Sequence, residues 1–230
     1  MKIGILAAMD KELELLTELM ENVTEEDYDG LHLYRGVIGP HDITAAKCGI
    51  GKVNSALNAF RMIRSEYLDL IINSGVAGGA DTSMPIDSLL IADGVAYHDV
   101  WCGPGTVYGA ADGMEQIFKP DDRLVVMAHE LLGKKDRNVR FGLICSGDKF
   151  ISSPTEIEEI KTHYPDALAV DMESASIAQV CRMNGVPFNI VRVVSDTPGS
   201  GENVQQYRNF WSEAPHKTFE SLRTLIEHLD

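Results

Sequence analysis

Basic residues are scarce in this chain: 20 Lys and Arg stand against 35 Asp and Glu in 230 residues, a formal charge of −15. So acidic a surface repels phosphate backbones and anionic lipid, and neither nucleic acid nor a membrane is an expected partner. Cysteine is sparse too. The four (Cys48, Cys102, Cys145, Cys181) form no CxxC pair, which leaves no sign of a disulfide framework or a thiolate metal site. Cys145 and Cys181 follow apolar residues and read as reduced core thiols. No run of about 20 apolar residues occurs. The apolar stretch after Met1 gives way at once to Asp10-Lys11-Glu12 with no small-residue cleavage site, so the cytoplasm is the expected compartment. Also missing are HExxH, GxSxG, GxxxxGK[ST] and GxGxxG, so zinc-peptidase, serine-hydrolase, P-loop and dinucleotide chemistries lose their signatures. Neither metal nor organic cofactor is expected.

What is present is the composition of an ordinary globular protein, 44% hydrophobic and 24% charged, at a length suited to one large α/β domain. Lys2–Ala7, Leu68–Ile72, Val139–Cys145 and Phe188–Val194 are short apolar runs that read as buried strands, and Leu31–Ile38, Ile43–Lys47, Leu89–Tyr97 and Ala167–Val170 add further strands. Helical periodicity covers the residues after Asp10, which suits an N-cap, then Val53–Ile63, Asp121–Leu132, Pro154–His163, Met172–Met183 and most of Val204–Leu229, with a break expected near Pro215. Strands alternating with helices predict an α/β fold, a three-layer α/β/α sandwich around one mixed central sheet. No linker composition or repeat divides the chain, so residues 1–230 read as a single domain.

Ligands of open α/β sheets gather at the ends of strands, and four such places carry chemistry. Glu12 follows the first strand, where an acid also suits a helix N-terminus through the dipole. Asn73 to Gly79 reads as a glycine turn, in which Val76, Ala77 and Gly78 would let backbone N–H groups approach a ligand; a tight turn without function fits equally well. Asp171-Met172-Glu173 places two acids in an otherwise apolar stretch. Arg192 lies inside the last core strand and Ser195-Asp196 at its end, and a charge there is costly unless paired or used. His98 reads as a structural histidine.

These stretches, taken in order with Gly4–Met9, Gly49-Ile50-Gly51-Lys52-Val53, Tyr97-His98-Asp99 and Ser146–Ile151, resemble the 5′-methylthioadenosine/S-adenosylhomocysteine nucleosidase family of the nucleoside phosphorylase superfamily. The resemblance spans residue 2 to about 197. It implies a hydrolase that breaks the N-glycosidic bond of a purine nucleoside, with Asp196 as general acid at purine N7 and Glu12 activating water, a logic shared with glycosidases. It further implies that Arg192 fixes the geometry, Glu173 accepts from the ribose 2′ and 3′ hydroxyls, and Met172 packs beneath the ribose. Phe150 would stack on the base and the Ile151 backbone would read its edge, with Ser195 and residues 76–78 completing the substrate site. A small-molecule purine nucleoside is thus the expected partner, and a homodimer the expected assembly. Val76 stands where the family carries serine, and Val100–Gly105 and Thr197–Gly201 also depart from its pattern, which bears on the preferred 5′ substituent. Within the superfamily the nucleophile is either water or phosphate. Asp10 and Glu12 side by side would repel phosphate, which favours water. A phosphorylase and a non-catalytic nucleoside binder are the alternatives.

Overall fold

The computed structural model describes residues 1–81, 84–133, 138–198, 200, 202–213 and 216–229. Strand β1 (Lys2–Ala7) leads into helix α1 (Asp10–Thr17), then into the antiparallel strands β2 (Glu21–Tyr28), β3 (Leu31–Ile38) and β4 (His41–Lys47). Helix α2 (Lys52–Ser65) and strands β5 (Leu70–Gly79), β6 (Leu89–Tyr97) and β7 (Ile117–Phe118) follow. Helix α3 (Asp122–Ala128) runs on as a π-helical turn over His129–Gly133. Strand β8 (Val139–Ser146), α4 (Pro154–His163), β9 (Ala167–Asp171), α5 (Ser174–Asn184), β10 (Phe188–Asp196), α6 (Asn203–Glu213) and α7 (His216–Glu227) complete the order.

One mixed sheet runs through the molecule. Its open arm is β2-β3-β4-β1-β5, with β1 parallel to both β4 and β5. Beyond β5 the sheet curls: β5 pairs with β10 and β9, β10 with β6, β6 with β8, and β8 with β9, so these strands close into a ring. Side chains alternate across each strand. Ile3, Ile5 and Ala7 of β1 pack with Leu13 and Leu16 of α1 and Leu222 and Ile226 of α7, whereas Leu6 joins Met62 of α2 and Ile177 of α5. Both faces are covered, which is the expected three-layer arrangement; the ring at one end was not expected. Among the described residues no helix is long and apolar enough to cross a membrane.

Several elements differ from the sequence-based expectation, each for a physical reason. Strand β2 was not expected, because Glu21–Tyr28 has no apolar alternation; it is an exposed edge strand held by β3, and its acids discourage pairing with another chain. Residues 73–79 are the second half of β5 and not a turn, since they pair with β10 on one side and end against β9 on the other. Their glycines make room. At Gly75, φ is +145° and a Cβ would lie 2.4 Å from Glu12 Oε1 and 2.7 Å from Arg192 Nη1. Strand β10 likewise extends through Asp196. Helix α1 is capped by Met9, not Asp10, which is exposed and accepts from Lys47 Nζ at 2.7 Å. Helix α5 starts at Ser174 rather than Met172, because Asp171 accepts the Ser174 N–H and Ser146 Oγ the Ala175 N–H. The break expected at Pro215, and Gly199 and Gly201, lie outside the described residues; α6 ends and α7 begins on either side of 214–215.

Candidate active site

The ends of β1, β5, β9 and β10 meet around a cavity of about 180 Å³. Its wall carries Glu12, Val76, Ala77, Gly78, Phe150, Met172, Glu173, Ser195 and Asp196, nine of the eleven residues singled out in the sequence. Ile151 lies in an adjoining recess with Gly78, Met172 and Asp196. Arg192 does not reach the wall. It is fully buried behind it.

Arg192 explains how three acidic side chains, Asp171, Glu173 and Glu12, can be buried together. Its Nε and Nη2 lie 2.9 and 2.8 Å from Asp171 Oδ2, Nη2 donates to Asn73 Oδ1 at 2.6 Å, Nη1 to the Ser74 carbonyl at 3.1 Å, and Glu173 Oε2 stands 3.7 Å away. A guanidinium with most of its donors used is a fixed charge, and one that stays protonated. The charge inside β10 is thus compensated by partners from β5 and β9.

Glu12 is 1% exposed, and its carboxylate accepts three backbone N–H groups: Ala8 (2.9 Å) and Met9 (3.0 Å) on Oε2, and Val76 (2.9 Å) on Oε1. Capping the first helix and facing the cavity are therefore one role. A carboxylate has about four acceptor positions, so Oε1 keeps one for a ligand or water. Burial raises the pKa of Glu12 above the usual carboxylate range, against the pull of Arg192 and the three N–H groups. Glu173, buried beside Asp171 with Glu12 adding to the effect, is pushed up to about 7, despite Arg192 and the Gly51 N–H that donates to its Oε1 at 2.9 Å. Asp196 is raised by burial, opposed only by hydrogen bonds from Ser195 Oγ (2.7 Å) and Asn203 Nδ2 (3.4 Å). No cation stands among these partners, and burial favours the neutral acid at Asp196.

The rest of the wall is apolar or aromatic. Phe150 is half exposed and meets Tyr207 edge-on at 5.9 Å between centroids, and the Tyr207 hydroxyl lies 3.3 Å from Met9 Sδ. Met9, Ile50, Asp171 and Tyr207 line the cavity without having been singled out as binding residues. Asp171 and Met9 stood in motifs that did attract notice, whereas Tyr207 sits in an amphipathic helix where its sequence carries no signal. Val76 offers its N–H to Glu12, so the polar contact made there belongs to the backbone. Asp10 is paired with Lys47 and does not line the cavity, which corrects the expectation that both Asp10 and Glu12 would repel phosphate there. Among the described residues no Lys, Arg or His lines this cavity. Lys149, at the recess, is paired with Glu156 at 2.5 Å. Among the described residues no three His, Cys, Asp or Glu side chains come together as a metal-ligand set.

A mixed sheet closing on itself, with buried acids at its strand ends, matches the phosphorylase superfamily, whose model covers residues 2–227, and the chain belongs to it. A nucleosidase of Actinobacillus succinogenes, described as acting on 5′-methylthioadenosine and S-adenosylhomocysteine, is 35% identical over 234 residues and all of both chains. The S-adenosylhomocysteine nucleosidase of Streptococcus pyogenes, solved with 5-methylthiotubericidin, superposes with a TM-score of 0.95 at 34% identity, over 100% of this chain and 98% of its own. The corresponding enzyme of S. pneumoniae, bound to the transition-state inhibitor MT-ImmA, gives 0.94 at 34% identity over the whole of both chains. Within the superfamily the chain is a member of the 5′-methylthioadenosine/S-adenosylhomocysteine nucleosidase family.

Proposed function

We propose that this protein hydrolyses the N-glycosidic bond of 5′-methylthioadenosine and S-adenosylhomocysteine, releasing adenine and the 5-substituted ribose. The observation that carries the proposal is the convergence of three buried carboxylates, Glu12, Glu173 and Asp196, on one cavity with no cation in its wall among the described residues. Breaking the bond to purine N9 needs a proton for the departing base, charge stabilisation for an oxocarbenium-like ribose, and a nucleophile at C1′. Asp196, raised by burial and free of a cationic partner, donates toward N7. The remaining acceptor position on Glu12 Oε1 holds and deprotonates water. Glu173 accepts from the ribose hydroxyls, and its ionised form favours a cationic sugar. Met172 supports the ribose and Phe150 the base, while the Ile151 backbone reads the base edge from the recess. Arg192 acts from behind by fixing Asp171 and facing Glu173.

Phosphate would need bidentate cationic donors. Among the described residues the cavity has none, which favours water as the nucleophile. Incubation of the purified protein with methylthioadenosine, S-adenosylhomocysteine and other purine nucleosides, with and without phosphate, is expected to release base at the same rate in both. Product analysis should give free sugar. A sugar 1-phosphate, or turnover only with phosphate, would make the protein a phosphorylase; tight binding with no base released would make it a nucleoside binder.

The assembly we infer is a homodimer. Val53, Leu57 and Phe60 form an exposed apolar stripe on α2, and Ile50, Trp101 and Val107 add exposed apolar surface. Loop 100–109 contributes nothing to the cavity of its own chain. Such a surface is unusual on a monomer. Light scattering is expected to give twice the chain mass of 25.3 kDa; a monomer at micromolar concentration would refute the dimer.

A further inference from the structure

Among the described residues the Glu173 carboxylate is held by one backbone donor, the Gly51 N–H. Gly51 is the N-cap of α2, has a φ of +88°, and possesses no side chain with which to cap its own helix. The cap comes from another loop: Asp148 Oδ1 accepts the Lys52 N–H at 2.7 Å. Two successive N–H groups of one turn therefore go to two carboxylates on different segments, one lining the cavity and one outside it. Asp148 is itself fixed. Its N–H donates to Asp99 Oδ2 at 2.9 Å, the same oxygen takes Lys52 Nζ at 2.7 Å, and that Nζ stands 3.9 Å from Asp148 Oδ2 and 5.5 Å from the centre of the Tyr97 ring. A Cβ on Gly51 would meet Asp148 Oδ1 at 3.0 Å, so the carboxylate packs directly on the turn. Asp148 is exposed and does not line the cavity.

We propose that Asp148, steadied by Lys52 and Asp99, is a positioning residue for Glu173: it sets the turn at Gly51 so that its N–H holds the Glu173 carboxylate in place for the ribose hydroxyls. The inference rests on the reading of Glu173 as the ribose acceptor. A helix cap with no further role would affect only the stability of α2. A positioning residue affects substrates according to whether they carry the hydroxyls that Glu173 receives. Without Asp148 the turn relaxes, and Glu173 loses the hydrogen bond that both orients its carboxylate and favours its ionised form.

The test compares wild type, Asp148→Ala, Asp148→Asn and Glu173→Gln on methylthioadenosine and on its 2′,3′-dideoxy analogue. Losing one hydrogen bond to a charged group corresponds to about tenfold. Asp148→Ala is expected to lower kcat/KM about tenfold on the ribonucleoside and by distinctly less on the dideoxy analogue, which keeps only the charge effect of Glu173. Its pH profile should keep the same shape with the acidic limb moved to higher pH. Asp148→Asn retains the Oδ1 acceptor and should restore most of the rate. Equal losses on both substrates in Asp148→Ala, or in Lys52→Met if that variant does not fold, would overturn the proposal while leaving the Glu173 reading intact. If wild type and Glu173→Gln fail to distinguish the two substrates, the ribose role of Glu173 falls and the inference falls with it.

Discussion

Asp196→Asn is expected to slow nucleoside hydrolysis by at least about 10², the lower range for losing a general acid, while the protein folds and binds nucleoside as before. The fold should survive because Asp196 makes no ion pair among the described residues, and asparagine keeps an oxygen for the Ser195 hydroxyl that now donates to Oδ1 at 2.7 Å, giving up only the longer contact from Asn203 Nδ2 at 3.4 Å. Affinity should survive because an amide still donates a hydrogen bond to a purine nitrogen. What it lacks is a proton to give. The two losses therefore separate in a single experiment: kcat falls, and the dissociation constant for a nucleoside, measured by calorimetry, stays within a few-fold of wild type. The pH profile adds a second readout. Burial raises the Asp196 carboxyl above its usual range, so wild type loses activity as pH rises and that proton is given up. With asparagine the alkaline fall assigned to Asp196 should disappear from kcat/KM. Near-normal kcat in the variant would remove Asp196 from the chemistry.

How much of this was legible before the structure depends on what each residue contributes to the pattern. The layered mixed sheet was legible because its central strands are apolar runs separated by helical periodicity, and burial on both faces leaves that mark directly in sequence. Strand β2 left none, since an edge strand exposed along its length buries nothing. The glycines at 75, 78 and 79 suggested a turn, because glycine favours turns in general. Here they are small because Glu12, Arg192, Pro198 and Met84 press against the strand from outside it, and such tertiary crowding has no local signature. The site followed the same division. Acids at strand ends stand out as polar residues beside apolar runs, so Glu12, Glu173 and Asp196 could be found. Arg192 was noticed for the right reason, a charge in a core strand, but its place behind the wall depends on Asp171 and Asn73, which lie far away in sequence. Tyr207 is an ordinary residue of an amphipathic helix, and only its position at the cavity marks it.

Glu12→Gln is expected to lower both stability and turnover, because the carboxylate that closes the first turn of α1 is also the one proposed to activate water. Three N–H groups converge on its two oxygens, and glutamine has only one oxygen. If that oxygen keeps Ala8 and Met9, the new NH₂ faces the Val76 N–H; if it turns to Val76, the NH₂ faces the other two. Either way donor meets donor, and Glu12→Gln should cost about 1–3 kcal/mol of stability, the scale of a buried unsatisfied polar group. Thermal unfolding would show this as a lowered but still cooperative transition. The catalytic loss should be larger, about 10²–10⁴ in kcat, because an amide cannot take a proton from water at C1′, and because removing the raised carboxyl removes the base tuned toward neutral pH. Nucleoside affinity should persist, since the residues proposed to hold the base, Asp196 and Phe150, and the ribose, Glu173, are not touched by the substitution. A cap alone would give the stability loss with kcat intact. A binding residue alone would raise KM at unchanged kcat. Only a water-activating base that also closes the first turn of α1 predicts a moderate fall in Tm together with a large fall in kcat, and either single outcome would separate the two tasks.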